Sequence, residues 1–512
     1  MVAGCVVDSP RVGTLDIASL ELPCLVPGAG LEPARPLGQW ILNPPRLPFR
    51  HPGWRREQPI PAHGGGGEVH AEPRATDVTL PASHSAAHKG LAAWRNLGDA
   101  SDLRLVAAEV LLVGLELRSP VRTAIGVHRE RPIVLVRLEC LSPNGESVIG
   151  WGESAALADT TYDAEDADSV QAQLSELLIP SLVAHAASSG GQLPGIKKLD
   201  VIKALGTGVL GHDAGTSEHL GAGPLAWAAL EMAVGDAHLR ALGMGLAELL
   251  GVGGEWVAPG AVVGTQPAAE ELMHAVDSLA DLGFCRVKVK IGPGSDIEPL
   301  DVLRQWAAQR VANRPGEPLP AFQVDGNGAY APSAVGHLAS FDRFDLLCVE
   351  QPFAPWDLES SARLASIIKT PICLDEGIGS LDDVVTAVEA GACSVVCVKP
   401  ARLGGIGPAL EVIAWCESQG VEWWMGGMFE SGFARAATTA LSALSSRPRP
   451  GDLAPAANYL VEDLAGEALA TRKSEGGTFE VQVHQGDGVG PMPDGAIIDR
   501  TIQSQVRVPV VR

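Results

Sequence analysis

The chain has 512 residues, 46% hydrophobic and 19% charged, with 38 Lys+Arg against 61 Asp+Glu and a net charge of −23. That length exceeds one ordinary domain, and the composition permits a sizeable core and excludes wholesale disorder. The acidic balance argues against nucleic-acid binding, which needs a basic face, and no run of 18 apolar residues offers a membrane span. Nine Cys are scattered without a CxxC pair or a framework spacing, several inside apolar runs, which points to a reducing compartment. The N-terminus lacks a basic n-region and a long apolar h-region, so a cytoplasmic protein is expected.

Residues 1–100 differ from the rest. They hold 13 of the 38 Pro and balance 9 basic against 9 acidic residues, so residues 101–512 carry the whole net charge. They show no sustained period of 3.6 or 2, and Pro at this density blocks helices and interior strands. This stretch reads as a disordered or artefactual extension; Pro27–Trp54 resembles a mistranslated structural-RNA gene.

From about residue 101 the pattern changes. LRLVAAEVLLVGLEL reads as a strand, and PIVLVRLEC and SVIGWGES follow, joined at Asn144-Gly145, a hairpin-turn pair. Residues 163–185 and 224–250 read as helices, with a Gly-rich stretch at 187–223 between them. This makes 101–253 an α+β unit.

After residue 254 short apolar runs recur: APGAVVGT, RVKVKIG, AFQVDGN, LLCVEQP, PICLDEG, SVVCVKP and VEWWMGG. Helical stretches separate them, one at 297–313 opened by the capping-box pair Ser295 and Glu298. Apolar strands alternating with helices imply a parallel sheet covered on both faces. The expected class is α/β: a (β/α) barrel over 254–462, an α+β capping domain over 101–253, and a final segment, 463–512.

Five successive strand candidates end in a charged residue: Lys290, Asp325, Glu350, Asp375 and Lys399. The last steps are 350−325=25, 375−350=25 and 399−375=24, one βα unit each. A single strand-end Asp is usually a helix cap or turn residue; five charges in sequence at this spacing fit that reading poorly. In a barrel these ends form the mouth, where active sites lie. Three carboxylates from adjoining strands repel unless a cation binds them, and all-oxygen ligation suits Mg²⁺ (or Mn²⁺). Arg286, Lys288 and Lys290 share one strand face by the period of two. Nearby cations are expected to lower the lysine pKa values, making Lys290 and Lys399 bases for a proton α to a metal-bound carboxylate. Glu376, next to Asp375, is expected to point away. None of the 13 His ends a strand, and Cys393 and Cys397 read as core.

The motifs RVKVKIGPG, QVDGNGAY, VEQP, LDEG, VKPARLGG and GGMFESGFARA together resemble the enolase superfamily, in its muconate-lactonising-enzyme-like branch. Within it they most resemble the o-succinylbenzoate synthase and N-acylamino-acid racemase family. The resemblance covers about 103–500. It implies a (β/α)7β barrel with a capping domain, onto which the C-terminal end packs back. It implies Asp325, Glu350 and Asp375 as ligands of Mg²⁺, Lys290 as general base, Lys399 on the opposite face, and Lys288 supporting Lys290. Gly427, Met428 and Glu430 would face the substrate, under capping loops near Ser119–Val127 and Ser154–Tyr162. Gly377, Gly326, Gly328 and Ala401 depart from the usual motifs without removing a ligand or a base.

The implied activity is o-succinylbenzoate synthase, a Mg²⁺-dependent dehydration on the route to menaquinone. The alternative is N-acylamino-acid (N-succinylamino-acid) racemase; one of another class is a non-catalytic metal-binding barrel. The expected partner is a small-molecule carboxylate substrate, without nucleic acid or membrane, and with a homo-oligomer left open.

Overall fold

A computed structural model describes residues 85–122, 127–206, 222–266, 268–445, 449–466 and 468–510. Residues 1–84, residues 123–126 of the loop near Ser119–Val127 and residues 207–221 of the Gly-rich stretch at 187–223 lie outside the described residues.

The first described element corrects the reading of residues 1–100. Helix α1 (Ala86–Asn96) is capped by Ser85, whose Oγ accepts from the His88 N–H. Its Ala87, Gly90 and Trp94 are buried on one stripe, at helical spacing. Trp94 is fully buried, lies on Gly235, where an added Cβ would come within 2.2 Å of the indole, and donates Nε1–H to Glu231 Oε1 at 2.9 Å. The helical period was present in AAHKGLAAWRN and was masked by the Pro-rich chain before it.

The capping sheet follows as β1 (Arg104–Arg122), β2 (Val127–Leu141) and β3 (Ser147–Ser154). The turn between β2 and β3 puts Gly145 at φ +82, which the Asn-Gly pair accommodates. Next come α2 (Ala167–Gln173), a π turn (Leu174–Leu178), α3 (Ile179–Ser188), α4 (Leu199–Gly206), α5 (Pro224–Leu242) and α6 (Leu246–Leu249). Helix α5 is buried around nearly its whole circumference, because the capping sheet lies on one side and the barrel on the other. It rests directly on β3: a Cβ at Gly152 would sit 1.9 Å from the Ala229 carbonyl oxygen. This is why SVIGWGES carries two glycines.

The barrel begins after β4 (Trp256–Val257). It runs β5 (Ala261–Val263), α7 (Ala269–Leu282), β6 (Arg286–Lys290), α8 (Ile297–Asn313), β7 (Ala321–Asp325), α9 (Val335–Leu338), β8 (Val349–Glu350), α10 (Leu358–Ala365), β9 (Ile372–Leu374) and α11 (Leu381–Glu389). It continues through β10 (Val395–Val398), α12 (Pro400–Leu403), α13 (Ile406–Gln419), β11 (Glu422–Met425) and α14 (Gly432–Ser442). Strands β5 to β11 form one parallel sheet in chain order, each pairing with the next. All seven apolar runs became strands. Helix α8 is capped by Asp296, which accepts from the Ile297 N–H, and not by Ser295.

Gly451–Asp452 occupies the eighth position. Gly260 donates to the Gly451 carbonyl at 2.6 Å, and Asp452 donates to the Met425 carbonyl at 2.8 Å, so this segment bridges β5 to β11 and closes the barrel. The last residues form β12 (Thr471–Lys473), β13 (Phe479–Gln482), α15 (Gly495–Thr501) and β14 (Ile502–Val508). β13 pairs with β4 at the start of the barrel and carries β12 on its other edge, while β14 adds to the capping sheet beside β1. Among the described residues no helix is long and apolar enough to cross a membrane.

The Trp94 indole anchors α1 to α5. Trp94→Ala is expected to cost about 3–5 kcal/mol, read from the shift of the urea midpoint. A loss below about 1 kcal/mol would mean that α1 is an accessory to the fold.

Candidate active site

Parallel register sets the geometry of the mouth. Lys290 pairs with Asp325 and Asp325 with Glu350, so three successive strands end level. Asp375 and Lys399 lie just past the ends of β9 and β10. Because side chains alternate, residues two apart point the same way, and Arg286 and Lys288 are buried inside the barrel below Lys290.

The structure brings the sequence-predicted lysines and carboxylates together. Lys290 Nζ donates to Asp325 Oδ2 at 2.6 Å and to Asn327 Oδ1 at 2.7 Å. Lys288 Nζ donates to Glu350 Oε1 at 2.8 Å and to Asp452 Oδ2 at 2.7 Å, and lies 3.7 Å from Asp325. Lys399 Nζ donates to Asp375 Oδ2 at 2.7 Å, while Arg402 Nη1 takes the other oxygen at 2.6 Å. Lys290 and Lys399 are thus held by different carboxylates, and their own strands, β6 and β10, are separated in the sheet by β7, β8 and β9.

Burial and these pairs set the electrostatics. Burial favours neutral carboxyl groups at Asp325 and Asp375, but lysine and arginine neighbours outweigh it and hold both below the usual carboxylate range. Glu350 is pushed up to about 8 by burial, against the pull of Lys288, with repulsion from Asp325, Asp375 and Asp452 adding to the rise. The lysines behave opposite to the sequence expectation. Burial lowers Lys290 and Lys399, and cationic neighbours lower them further, yet Asp325 and Asp375 carry both above the ordinary lysine value. The expectation had weighed only the cations.

Three buried carboxylates facing one another, with lysines as their counter-charge, fit an oxygen-ligated divalent cation. One oxygen each of Glu350 and Asp375 and the Cys397 sulfur lie within 4.8 Å of one another. Asp325 falls outside this trio, where Lys290 holds it. Burial raises the Cys397 thiol well above its ordinary value, and its sulfur is a soft ligand, whereas Asp325, Glu350 and Asp375 offer the oxygen set that suits a hard cation.

Glu376 corrects its expectation. It does not turn away: its Oε1 accepts from Asn327 Nδ2 at 2.8 Å, which places it beside Lys290 through Asn327. Glu430 is nearly buried with its carboxylate on Arg435 Nη2 at 2.6 Å, so it is turned into the protein. Gly427 presses its backbone on Asp452, where an added Cβ would lie 2.6 Å from the carbonyl oxygen. Met428 is buried beside it.

Several residues of the site were missed. Asp452, from the eighth position, accepts from both Lys288 and Arg286. Its signal was its place, 452−425=27 residues after the end of β11, close to one βα step. Gln323 donates to Glu350, and Gln351 Oε1 accepts from the Asp375 and Gly377 N–H groups, each at 3.0 Å. Arg402 spans Asp375 and Asp163 of the capping domain, the latter through Nε at 3.2 Å.

Two family models match the chain. The mandelate racemase / muconate lactonizing enzyme N-terminal domain matches residues 106–251, and the enolase C-terminal domain-like model matches 271–496. An N-succinylamino acid racemase from Amycolatopsis sp is 34% identical over 404 residues, 79% of this chain and 99% of the relative. An o-succinylbenzoate synthase from Geobacillus kaustophilus is 32% identical over 374 residues, 73% of this chain and 87% of the relative. Among solved structures, a probable mandelate racemase from Alicyclobacillus acidocaldarius matches with a TM-score of 0.68 and 30% identity, over 79% of this chain and 98% of that one. With matches to both halves, and with relatives above 30% identity covered almost end to end, the chain belongs to the enolase superfamily, in its mandelate racemase / muconate lactonizing enzyme group.

Proposed function

We propose that the chain is an o-succinylbenzoate synthase, removing water from a succinyl-cyclohexadiene carboxylate to give the aromatic ring. The observation that carries this reading is the placement of Lys290 and Lys399 on separate carboxylates of one buried acidic cluster. A divalent cation, Mg²⁺ in this reading, held by Asp325, Glu350 and Asp375 would supply the positive charge that offsets charge developing on the substrate carboxylate.

The residues of the chain do the rest. Were Asp325 engaged as a ligand, Lys290 would keep Asn327 Oδ1 as its acceptor, and the Lys288 charge, now outweighed by Asp325, would favour its neutral form. Neutral Lys290 takes the proton α to the carboxylate. The same proton, now on Lys290, goes to the departing hydroxyl, which leaves as water. Lys399 stays charged and offsets the negative charge from the other side. Gln323 orients the Glu350 carboxylate by a hydrogen bond, Gln351 fixes the backbone N–H groups of Asp375 and Gly377, and Asp452 holds Lys288 in place.

A second reading, N-succinylamino acid racemase, is favoured by the 34%-identical relative and by the same two lysines, which would exchange the α proton from opposite faces. The two readings separate at Lys399. Lys290→Ala is expected to lower turnover of either substrate by roughly 10²–10⁴-fold. Lys399→Arg should preserve measurable dehydration and abolish racemisation, followed by product absorbance and by loss of optical rotation. Unchanged turnover in Lys290→Ala would remove it as the base, and absence of turnover of both substrates by the native chain with Mg²⁺ would leave a non-catalytic metal-binding barrel.

Metal and activity should be lost together. Asp325→Asn or Glu350→Gln should weaken Mn²⁺ binding, read by calorimetry, and reduce turnover in parallel; full activity in EDTA would contradict the ligand assignment.

A further inference from the structure

Arg131 lies outside the acidic cluster, on β2 of the capping sheet, and is 3% exposed. All five N–H donors of its guanidinium are spent on backbone carbonyls. Nη1 donates to Pro132 at 2.6 Å and to Ala156; Nη2 donates to Ala155 at 2.7 Å and to Met428 at 3.0 Å; Nε donates to Phe429 at 3.1 Å. Three of these acceptors belong to the capping domain, and two to the loop that leaves β11 beside Lys399.

The loops it joins have little of their own to hold them. Residues 155–156 are Ala-Ala and residues 426–427 are Gly-Gly, so neither stretch has a polar side chain to fix its carbonyls. Phe429 is moreover held at φ +57, a left-handed conformation that costs a non-glycine residue and persists only where its surroundings impose it. The segment is gripped at four consecutive residues. Arg131 takes the carbonyls of Met428 and Phe429, the Tyr459 hydroxyl donates to that of Glu430, and Glu153 accepts from the N–H and hydroxyl of Ser431. Of the residues gripping this segment, Arg131 alone also binds the carbonyls of the capping loop at 155–156. That loop leads on to Asp163, which meets Arg402 over Asp375.

We propose that Arg131 is the positioning residue that locks the capping loop at 155–156 to the barrel loop at 428–429, and so sets how tightly the site holds its carboxylate substrate. The identity of that substrate rests on the function proposed above; the clamp does not. A buried guanidinium is stable only with its donors satisfied, so the two loops cannot separate without leaving a charged group unsolvated. A lysine offers one nitrogen and cannot reach five carbonyls.

Arg131→Met and Arg131→Lys should each raise KM by roughly tenfold or more with kcat changed less than about threefold. Amide hydrogen exchange should rise in 153–163 and 427–432 while the barrel strands keep their protection. If Arg131→Met fails to fold, Arg131→Lys, which keeps the charge, carries the test. An unchanged KM, a native KM in Arg131→Lys, or exchange that rises evenly through the chain would overturn the proposal. If the native chain turns over neither substrate, the proposed function falls, and the exchange pattern alone decides the clamp.

Discussion

The structure depends on placing buried acids in direct contact with basic side chains at the mouth of one barrel. Asp325, Glu350, Asp375 and Asp452 are drawn together inside a closed parallel sheet, where an isolated carboxylate would be too costly to keep charged. Lys288, Lys290, Lys399, Arg286 and Arg402 offset them in direct contact. Removing one member leaves its partners uncompensated, so the set stands as a unit. Replacement of the lysine counter-charge by a divalent cation would release amines already positioned next to the acids they leave. The same contacts that make the folded cluster tolerable would therefore make it ready for proton transfer.

The capping domain is built into this arrangement. Helix α5 lies directly on β3, Glu231 on that helix accepts from the Ile406 and Gly407 N–H groups at the start of α13, and Trp94 donates to the same carboxylate. Arg131, Glu153 and Asp163 then reach from the capping domain to residues of the barrel mouth. Two layers of contact result: the buried Glu231 carboxylate, which ties α5 to the start of α13, and a polar rim that fixes the loops over the site.

What could be read from the sequence was the regular part. Seven apolar runs, each a largely buried strand, announced the barrel because both faces of a parallel sheet are covered. Charges at their ends announced the site because a charged residue closing an apolar run stands out. The remainder was hidden for definite reasons. The eighth position, PGDLAP, has no apolar run, since two residues suffice to bridge β11 and β5. Asn327, Gln323 and Gln351 carry no charge and look like loop residues. Arg131 binds only carbonyl oxygens, which every residue has, so nothing in the sequence marks its partners. Helix α1 followed a Pro-rich stretch whose character obscured it. The lysine pKa direction was misjudged because it depends on distances to Asp325 and Asp375, which spacing alone does not supply.

The most direct measurement is a crystal structure grown with Mn²⁺, with the ion located by its anomalous scattering. Expected is one dominant peak in contact with oxygens of Asp325, Glu350 and Asp375, with the Lys290 and Lys399 nitrogens on either side of the substrate position above it. A peak that engages the Cys397 sulfur and leaves Asp325 on Lys290, or one bound away from the barrel mouth, would contradict the assignment of this cluster as the metal centre.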